Sequence, residues 1–171
     1  IWQGIRRLAE RKPVWVSVGS MAASGGYYIT VAGDRIHVNP SSIVGSIGVV
    51  GGKIALGGVY DALRIRVVPR GRGPNTDMLS SLEPWTPAQA ALVRAKMKET
   101  YDLFASRVTA GRPGIDLAKT AEGRLFTGDR AVELRMADAV GGLHETITAL
   151  SDSLSLAEYD VMDFPGPRSL D

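Results

Sequence analysis

A chain of 171 residues with 44% hydrophobic content is long enough for one compact domain with a sizeable core. Its formal net charge of +2 leaves no strong nucleic-acid footprint, and the absence of cysteine excludes thiol catalysis, disulfides and Cys-ligated zinc. No run approaches the ~18 apolar residues of a membrane-spanning helix, and no secretory signal pattern opens the chain.

The first residues enter mid-pattern. Ile1, Ile5 and Leu8 recur at helical spacing with charges between them, as expected of a fragment that begins inside a helix. Lys12-Pro13 breaks that helix, and Val14–Val18 reads as a buried strand. Ser24 to about Ala32 reads as a helix, and Arg35-Ile36-His37-Val38 as a short strand ended by Asn39-Pro40. Ser46 to Val50 and Ile65 to Val68 are further strand candidates, the second stopped by Pro69. From Arg70 to Pro84 the sequence is loop, about 15 residues, and loops of that length are often functional or mobile. Thr86-Pro87-Ala88-Gln89 then writes a helix start, with Thr86 as N-cap, Pro87 at the first helical position and Gln89 completing a capping box. Leu92, Tyr101, Phe104 and Val108 carry an apolar stripe to a stop at Gly111-Arg112-Pro113. Trp85, Tyr101 and Phe104 fit packing into a core. Shorter helices are expected near Asp116–Glu122, Asp129–Arg135 and Leu143–Leu150, then an extended tail rich in proline. The alternation of short strands and helices indicates an α/β domain over residues 1–150 with a tail over 151–171.

The chemistry concentrates in Gly19-Ser20-Met21-Ala22-Ala23-Ser24-Gly25-Gly26-Tyr27-Tyr28. A serine at a strand-to-helix junction lies beside unpaired helix N–H groups, which favour an oxyanion. Gly25 and Gly26 carry no Cβ to hinder a substrate backbone. Ser24 needs a base to be a useful nucleophile. The chain has two histidines: His37 lies inside an apparent strand, and His144 starts a C-terminal helix beside Glu145. Neither position suits the base of a Ser-His-acid triad, and Ala22 stands where a nucleophile elbow has its first glycine. Lysine is the other base, acting when desolvation leaves it neutral. Lys53 follows Gly51-Gly52 but fails the phosphate-loop pattern; a turn lysine facing solvent is its ordinary reading, and an in-chain dyad lysine brought beside Ser24 by the fold is the other. Arg64, Arg66, Arg70 and Arg72 form a basic cluster that reads as a solvated loop face, with anionic headgroups as the other option. No metal-ligand spacing and no cofactor motif stands out.

The run from Ser20 to Ile29, Asn39-Pro40-Ser41, Gly45-Ser46-Ile47-Gly48-Val49, Glu122 to Gly128 and Asp138 to Gly142 together resemble the signal peptide peptidase A (protease IV) family of serine peptidases. The resemblance covers nearly all of residues 1–150 in order. It implies a crotonase/ClpP-like fold, no cofactor, and a Ser-Lys dyad that cleaves leftover signal peptides at the outer face of a bacterial membrane. Ser24 matches the family's nucleophile, and Ser46 matches the serine that orients the lysine. Gly25, Gly26, Gly45, Ile47 and Gly48 fall at the substrate-binding backbone. The lysine itself is missing: its matching place in short members is close to Thr76, and no lysine occurs from Ile54 to Ala95. The chain is therefore similar to the C-terminal repeat of the long, two-repeat members, in which the N-terminal repeat supplies lysine. An oxyanion-binding turn of the family also lies upstream of Ile1. The expectations are an inactive fragment and a partner repeat of the same polypeptide. Peptide substrates, a homo-oligomer and a membrane anchor outside these residues are expected as well, and no nucleic acid. An enoyl-CoA hydratase-like enzyme and a non-catalytic assembly domain are the alternatives.

Overall fold

The computed structural model describes residues 1–164 and 166. Residues 165 and 167–171 of the expected tail over 151–171 lie outside them. In chain order the helices are α1 Trp2–Ala9, α2 Gly25–Thr30, α3 Gly57–Ala62, α4 Pro87–Gly111, α5 Leu117–Thr120, α6 Gly128–Glu133 and α7 Leu143–Ser153. The strands are β1 Trp15–Val18, β2 Met21–Ala23, β3 Arg35–Val38, β4 Ile43–Gly45, β5 Leu125–Phe126 and β6 Ala139–Val140. They make two three-stranded sheets, β1-β3-β6 and β2-β4-β5, and every pairing is parallel except β4 with β5.

The chain passes from the first sheet to the second twice, from β1 to β2 and from β3 to β4, at the same height. Polar side chains take over there from the interrupted ladder. Asn39 Nδ2 donates to the carbonyls of Val18 and Gly19, each at 3.3 Å. The Ser42 hydroxyl donates to Gly19 O at 2.5 Å and accepts from the Asn39 amide at 3.0 Å. Buried backbone groups left without partners would cost on the order of 1–3 kcal/mol each. The Asn39-Pro40-Ser41-Ser42 sequence therefore serves as the joint between sheets.

The core lies between the sheets and helices α2, α4 and α6. Tyr27, Val31, Ile36, Val38, Val44, Ile47, Val108, Ala131 and Met136 are all fully buried in it. Tyr27 carries the one hydroxyl among these, and it donates to Met136 O at 2.9 Å. Burial pushes that phenol well above the usual tyrosine range, so it remains a protonated donor at physiological pH. Gly111 and Gly128 admit close backbone approach, since a Cβ would overlap the carbonyl oxygens of Val31 and Asn39 respectively.

Several expectations are corrected. The inward face of α1 is Trp2, Ile5, Arg6 and Ala9, all half-buried and one residue off the anticipated stripe, while Ile1 and Leu8 are exposed. Arg6 lies on that face because its guanidinium donates to Ala32 O and meets Asp34 at 3.3 Å. Ser46–Val50 is not a strand. The strand ends one residue before it, at Gly45, whose φ of +115° turns the chain out of the sheet. Ile65–Val68 is irregular, having no partner strand, and the helix before it, α3, was not anticipated behind two glycines. The capping box of α4 is present as read, with Gln89 N donating to Thr86 Oγ1 and Thr86 N to Gln89 Oε1. Helix α7 runs past residue 150 to Ser153.

Asp138 ties the two ends of the domain together. Its Oδ2 accepts from the Ile36 amide and from Arg112 Nη1, each at 2.7 Å, and the Arg112 side chain is only 10% exposed. Replacing it strands both a sheet amide and a mostly buried guanidinium. Asp138→Ala is expected to lower the unfolding free energy by about 3 kcal/mol. Urea denaturation with an unchanged slope is the check; a loss below about 1 kcal/mol would count against this role.

Candidate active-site cleft

Ser24 and Ser46 follow directly on two paired strands. Ala23 and Gly45 are register partners in the parallel pair β2–β4, so the residues after them emerge side by side at the strand ends. Adjacent strands lie about 4.8 Å apart, which sets the scale of their separation. The Ser24 amide closes the last rung, donating to Gly45 O at 2.9 Å, and the Ser46 amide donates to Arg124 O at 2.7 Å. Both serines then leave the sheet through positive φ, 53° for Ser24 and 50° for Ser46. A non-glycine residue held there costs on the order of 1–3 kcal/mol and persists because the surroundings fix it.

Ser24 is exposed and stands at the N-cap of α2, yet its hydroxyl caps no amide. That leaves the oxygen free at the mouth of a cleft of about 690 Å³. Ser24, Gly25, Ser46 and Gly48 line one side of it, and Tyr28, Tyr101, Leu103 and Phe104 form an apolar wall. The Tyr28 and Phe104 rings meet edge to face at 5.4 Å, joining α2 to α4. Glu122 and Gly123, both at positive φ, close the far side in the turn before β5. Glu122 is the single carboxylate on the lining and pairs with Arg124 at 3.0 Å. No lysine, arginine or histidine lines this cleft among the described residues.

The other anticipated residues separate into groups. Gly25 and Gly48 line the cleft, whereas Gly26 and Gly45 do not. The Ile47 side chain is fully buried in the core, and its carbonyl accepts from Gly123 N at 3.1 Å. The glycines differ in what holds them. A Cβ on Gly25 or Gly26 would meet nothing within 4 Å. On Gly48 it would come within 2.9 Å of Gly123 N, and on Gly45 within 2.8 Å of Arg124 O.

Lys53 points elsewhere, with its ammonium 3.5 Å from Asp77 O and over the Trp85 ring at 5.8 Å. Thr76, at the place where the resemblance puts a lysine, lines a different cleft with Arg70 and Asp77. His37 is buried against Trp15, its Nδ1 without a partner, and His144 is exposed. Tyr28, Glu122 and the wall from α4 were not singled out as site residues. Tyr101 and Phe104 carried a helical stripe that reads as core, and Phe104 is core, at 6% exposed, as well as cleft wall. Only the fold brings residues near 28, 46, 101 and 122 together.

Comparison with known proteins gives a consistent picture. Residues 6–157 match Peptidase family S49. A chloroplastic serine protease SPPA from Arabidopsis thaliana is 35% identical over 150 residues, which are 86% of this chain and 22% of that protein. A putative signal peptide peptidase SppA from Enterococcus faecium is 26% identical, over 89% of this chain and 45% of its own length. The chain thus spans roughly a fifth to a half of the length of the curated relatives it matches. Among solved structures, an enoyl-CoA hydratase/isomerase family protein from Hyphomonas neptunium aligns with a TM-score of 0.45 at 15% identity, covering 90% of this chain and 41% of that one.

The glycine geometry predicts opposite stability effects along one motif. Gly25→Ala and Gly26→Ala should change the unfolding free energy by less than about 1 kcal/mol, whereas Gly45→Ala and Gly48→Ala should each cost about 1–3 kcal/mol. At position 24, glycine should be more stable than alanine by about 1 kcal/mol because of the positive φ. Urea titration of the six variants decides both points.

Proposed function

Because the chain belongs to peptidase family S49, we propose that it is the serine-bearing portion of a serine endopeptidase that hydrolyses signal-peptide remnants at the extracytoplasmic face of a membrane. The observation that carries this reading is the pair Ser24 and Ser46, side by side at an apolar cleft that no lysine or histidine lines among the described residues. The base is a lysine supplied from outside these residues, by a related repeat of the same polypeptide or by another subunit.

Desolvation in the assembled cleft keeps that lysine neutral, and the Ser46 hydroxyl hydrogen-bonds and orients its amine. The amine takes the proton of Ser24 Oγ as the oxygen attacks the peptide carbonyl. A tetrahedral intermediate forms, its oxyanion facing the open backbone at Gly25 and Gly26. Collapse of the intermediate breaks the C–N bond, and the lysine ammonium gives its proton to the departing amine. Water, deprotonated by the same lysine, then attacks the acyl-serine ester and releases the acid, and the proton returns to Ser24. Tyr28, Leu103 and Phe104 offer an apolar wall suited to side chains from the hydrophobic part of a signal peptide. A homo-oligomer completes the enclosure, and attachment to the membrane comes through a segment outside this chain.

In the full-length protein, Ser24→Ala should reduce kcat/KM on a fluorogenic signal-peptide segment by at least about 10⁴-fold and abolish labelling by a fluorophosphonate. Ser46→Ala should lower kcat by about 10- to 100-fold with little change in KM. The 171 residues alone should fold and yet turn over less than about 1% as fast as the full-length protein, having no lysine at the cleft. Equal rates for Ser24→Ala and wild type would sink the mechanism. Full activity of the isolated chain would sink the external base.

A further inference from the structure

Residues 49–88 contribute nothing to the buried core. Within them the segment from α3 to Leu82 forms an arm that leaves the rim of the Ser24 cleft at Val50, itself 97% exposed and part of the cleft lining. The arm presents large apolar side chains to solvent: Val59, Leu63, Ile65, Val67, Val68 and Leu79, the last 89% exposed. Interleaved with them are Arg64, Arg66, Arg70 and Arg72, all exposed and none in an ion pair among the described residues. No Asp or Glu occurs from residue 62 to 76, so four positive charges stand together on a chain whose formal net charge is +2.

A solvated basic loop has no use for six exposed aliphatic side chains. A nucleic-acid surface interleaves its cations with aromatic rings for stacking, and aliphatics take their place here. Cations on long stems beside aliphatics are the composition of a surface that sits in the boundary between lipid headgroups and acyl chains. The arm also carries a cleft of about 480 Å³ lined by Arg70, Thr76, Ser80 and Ser81, whose donors suit a phosphate. Asp77 on the same lining has its Oδ1 occupied by Gln89 Nε2 at 2.9 Å.

We propose that this arm docks on a bilayer surface containing anionic phospholipid. The arginines pair with headgroup phosphates, the aliphatics enter the headgroup–acyl boundary, and the Ser24 cleft is held with its rim at the membrane. The contact belongs to this chain's own residues and does not depend on any anchor elsewhere, nor on the peptidase reading.

The test is flotation of the full chain with vesicles of phosphatidylcholine alone and of phosphatidylcholine with about 30% phosphatidylglycerol. Partitioning should be at least about tenfold stronger onto the anionic vesicles and should fall steeply between about 0.05 and 0.5 M salt. Combined Arg64→Gln, Arg66→Gln, Arg70→Gln and Arg72→Gln should weaken it by on the order of a hundredfold, about fivefold per arginine at most. Ile65→Ser with Val67→Ser and Leu79→Ser should weaken it about tenfold or more. All these positions are exposed, so urea denaturation should report unchanged stability and separate lost docking from lost folding. Equal partitioning onto neutral and anionic vesicles, or none onto either, overturns the proposal. So does vesicle binding that survives the arginine substitutions, including a case where those substitutions instead dissociate a dimer measured by sedimentation without lipid.

Discussion

The rung from the Ser24 amide to the Gly45 carbonyl, 2.9 Å long, fixes the geometry on which the rest of the site depends. It is the last bond of a parallel pair only three residues long, and it is made by a residue already turning out of the sheet. A slip of one position along β2 and β4 would send every side chain to the opposite face. Ala22 and Val44 would leave the core, and Ser24 would no longer emerge beside Ser46. The register is held from both ends. Ile43 N donates to Ser20 O at the start, and Ser46 N donates to Arg124 O at the finish.

Short strands of this kind cannot hold a register alone, and the polar joint between the two sheets takes up the task. Asn39 and Ser42 fasten the end of β1 to the start of β4, so the second sheet inherits the alignment of the first. Glycines contribute in two distinct ways. Gly45, Gly48, Gly111 and Gly128 are dictated by backbone that passes too close for a Cβ. Gly25 and Gly26 meet no such demand from the chain itself, so their smallness is available to whatever approaches Ser24 from outside. The cleft is apolar on the helix side and hydroxyl-bearing on the strand side, a division suited to an extended chain with hydrophobic side groups.

Much of this was legible in the sequence where the physics is local. The capping box at Thr86, the stop at Gly111, the β3 strand and the serine at a strand-to-helix junction all depend on residues within a few positions of one another. The α/β class followed from their alternation. Other features resisted. Gly45 ends its strand by a backbone torsion, and the apolar text from Ile47 to Val50 invites a strand that the torsion forbids. Ile65–Val68 has strand composition without a partner to pair with, so composition alone misleads. The cleft wall was invisible for a different reason. Tyr101 and Phe104 lie on α4, some seventy residues beyond Tyr28, and a helical stripe looks the same whether it faces core or cleft. Absence was easier to read than position: the missing lysine is a fact of sequence, and the structure adds that Thr76 does not face Ser24 at all.

The bonds that join the two ends of the chain also set an order of events. Tyr27 reaches Met136 across 109 residues, and the Ile36 amide reaches Asp138 across 102. Strand β6 can complete the first sheet only after those same loops have closed. Closing loops of that length spends chain entropy before any contact repays it, and such topologies fold slowly. As the polypeptide leaves the ribosome, the Ser24 turn emerges before the strands that complete both sheets. Its own sheet stays incomplete until β5 has followed at Leu125–Phe126, and the sheet joined to it until β6 has followed at Ala139–Val140. The strained turn therefore has no rigid scaffold until those strands have been made. A nascent chain of this design carries Ser24 in an unassembled state, and the late arrival of β5 and β6 acts as a built-in delay on the cleft.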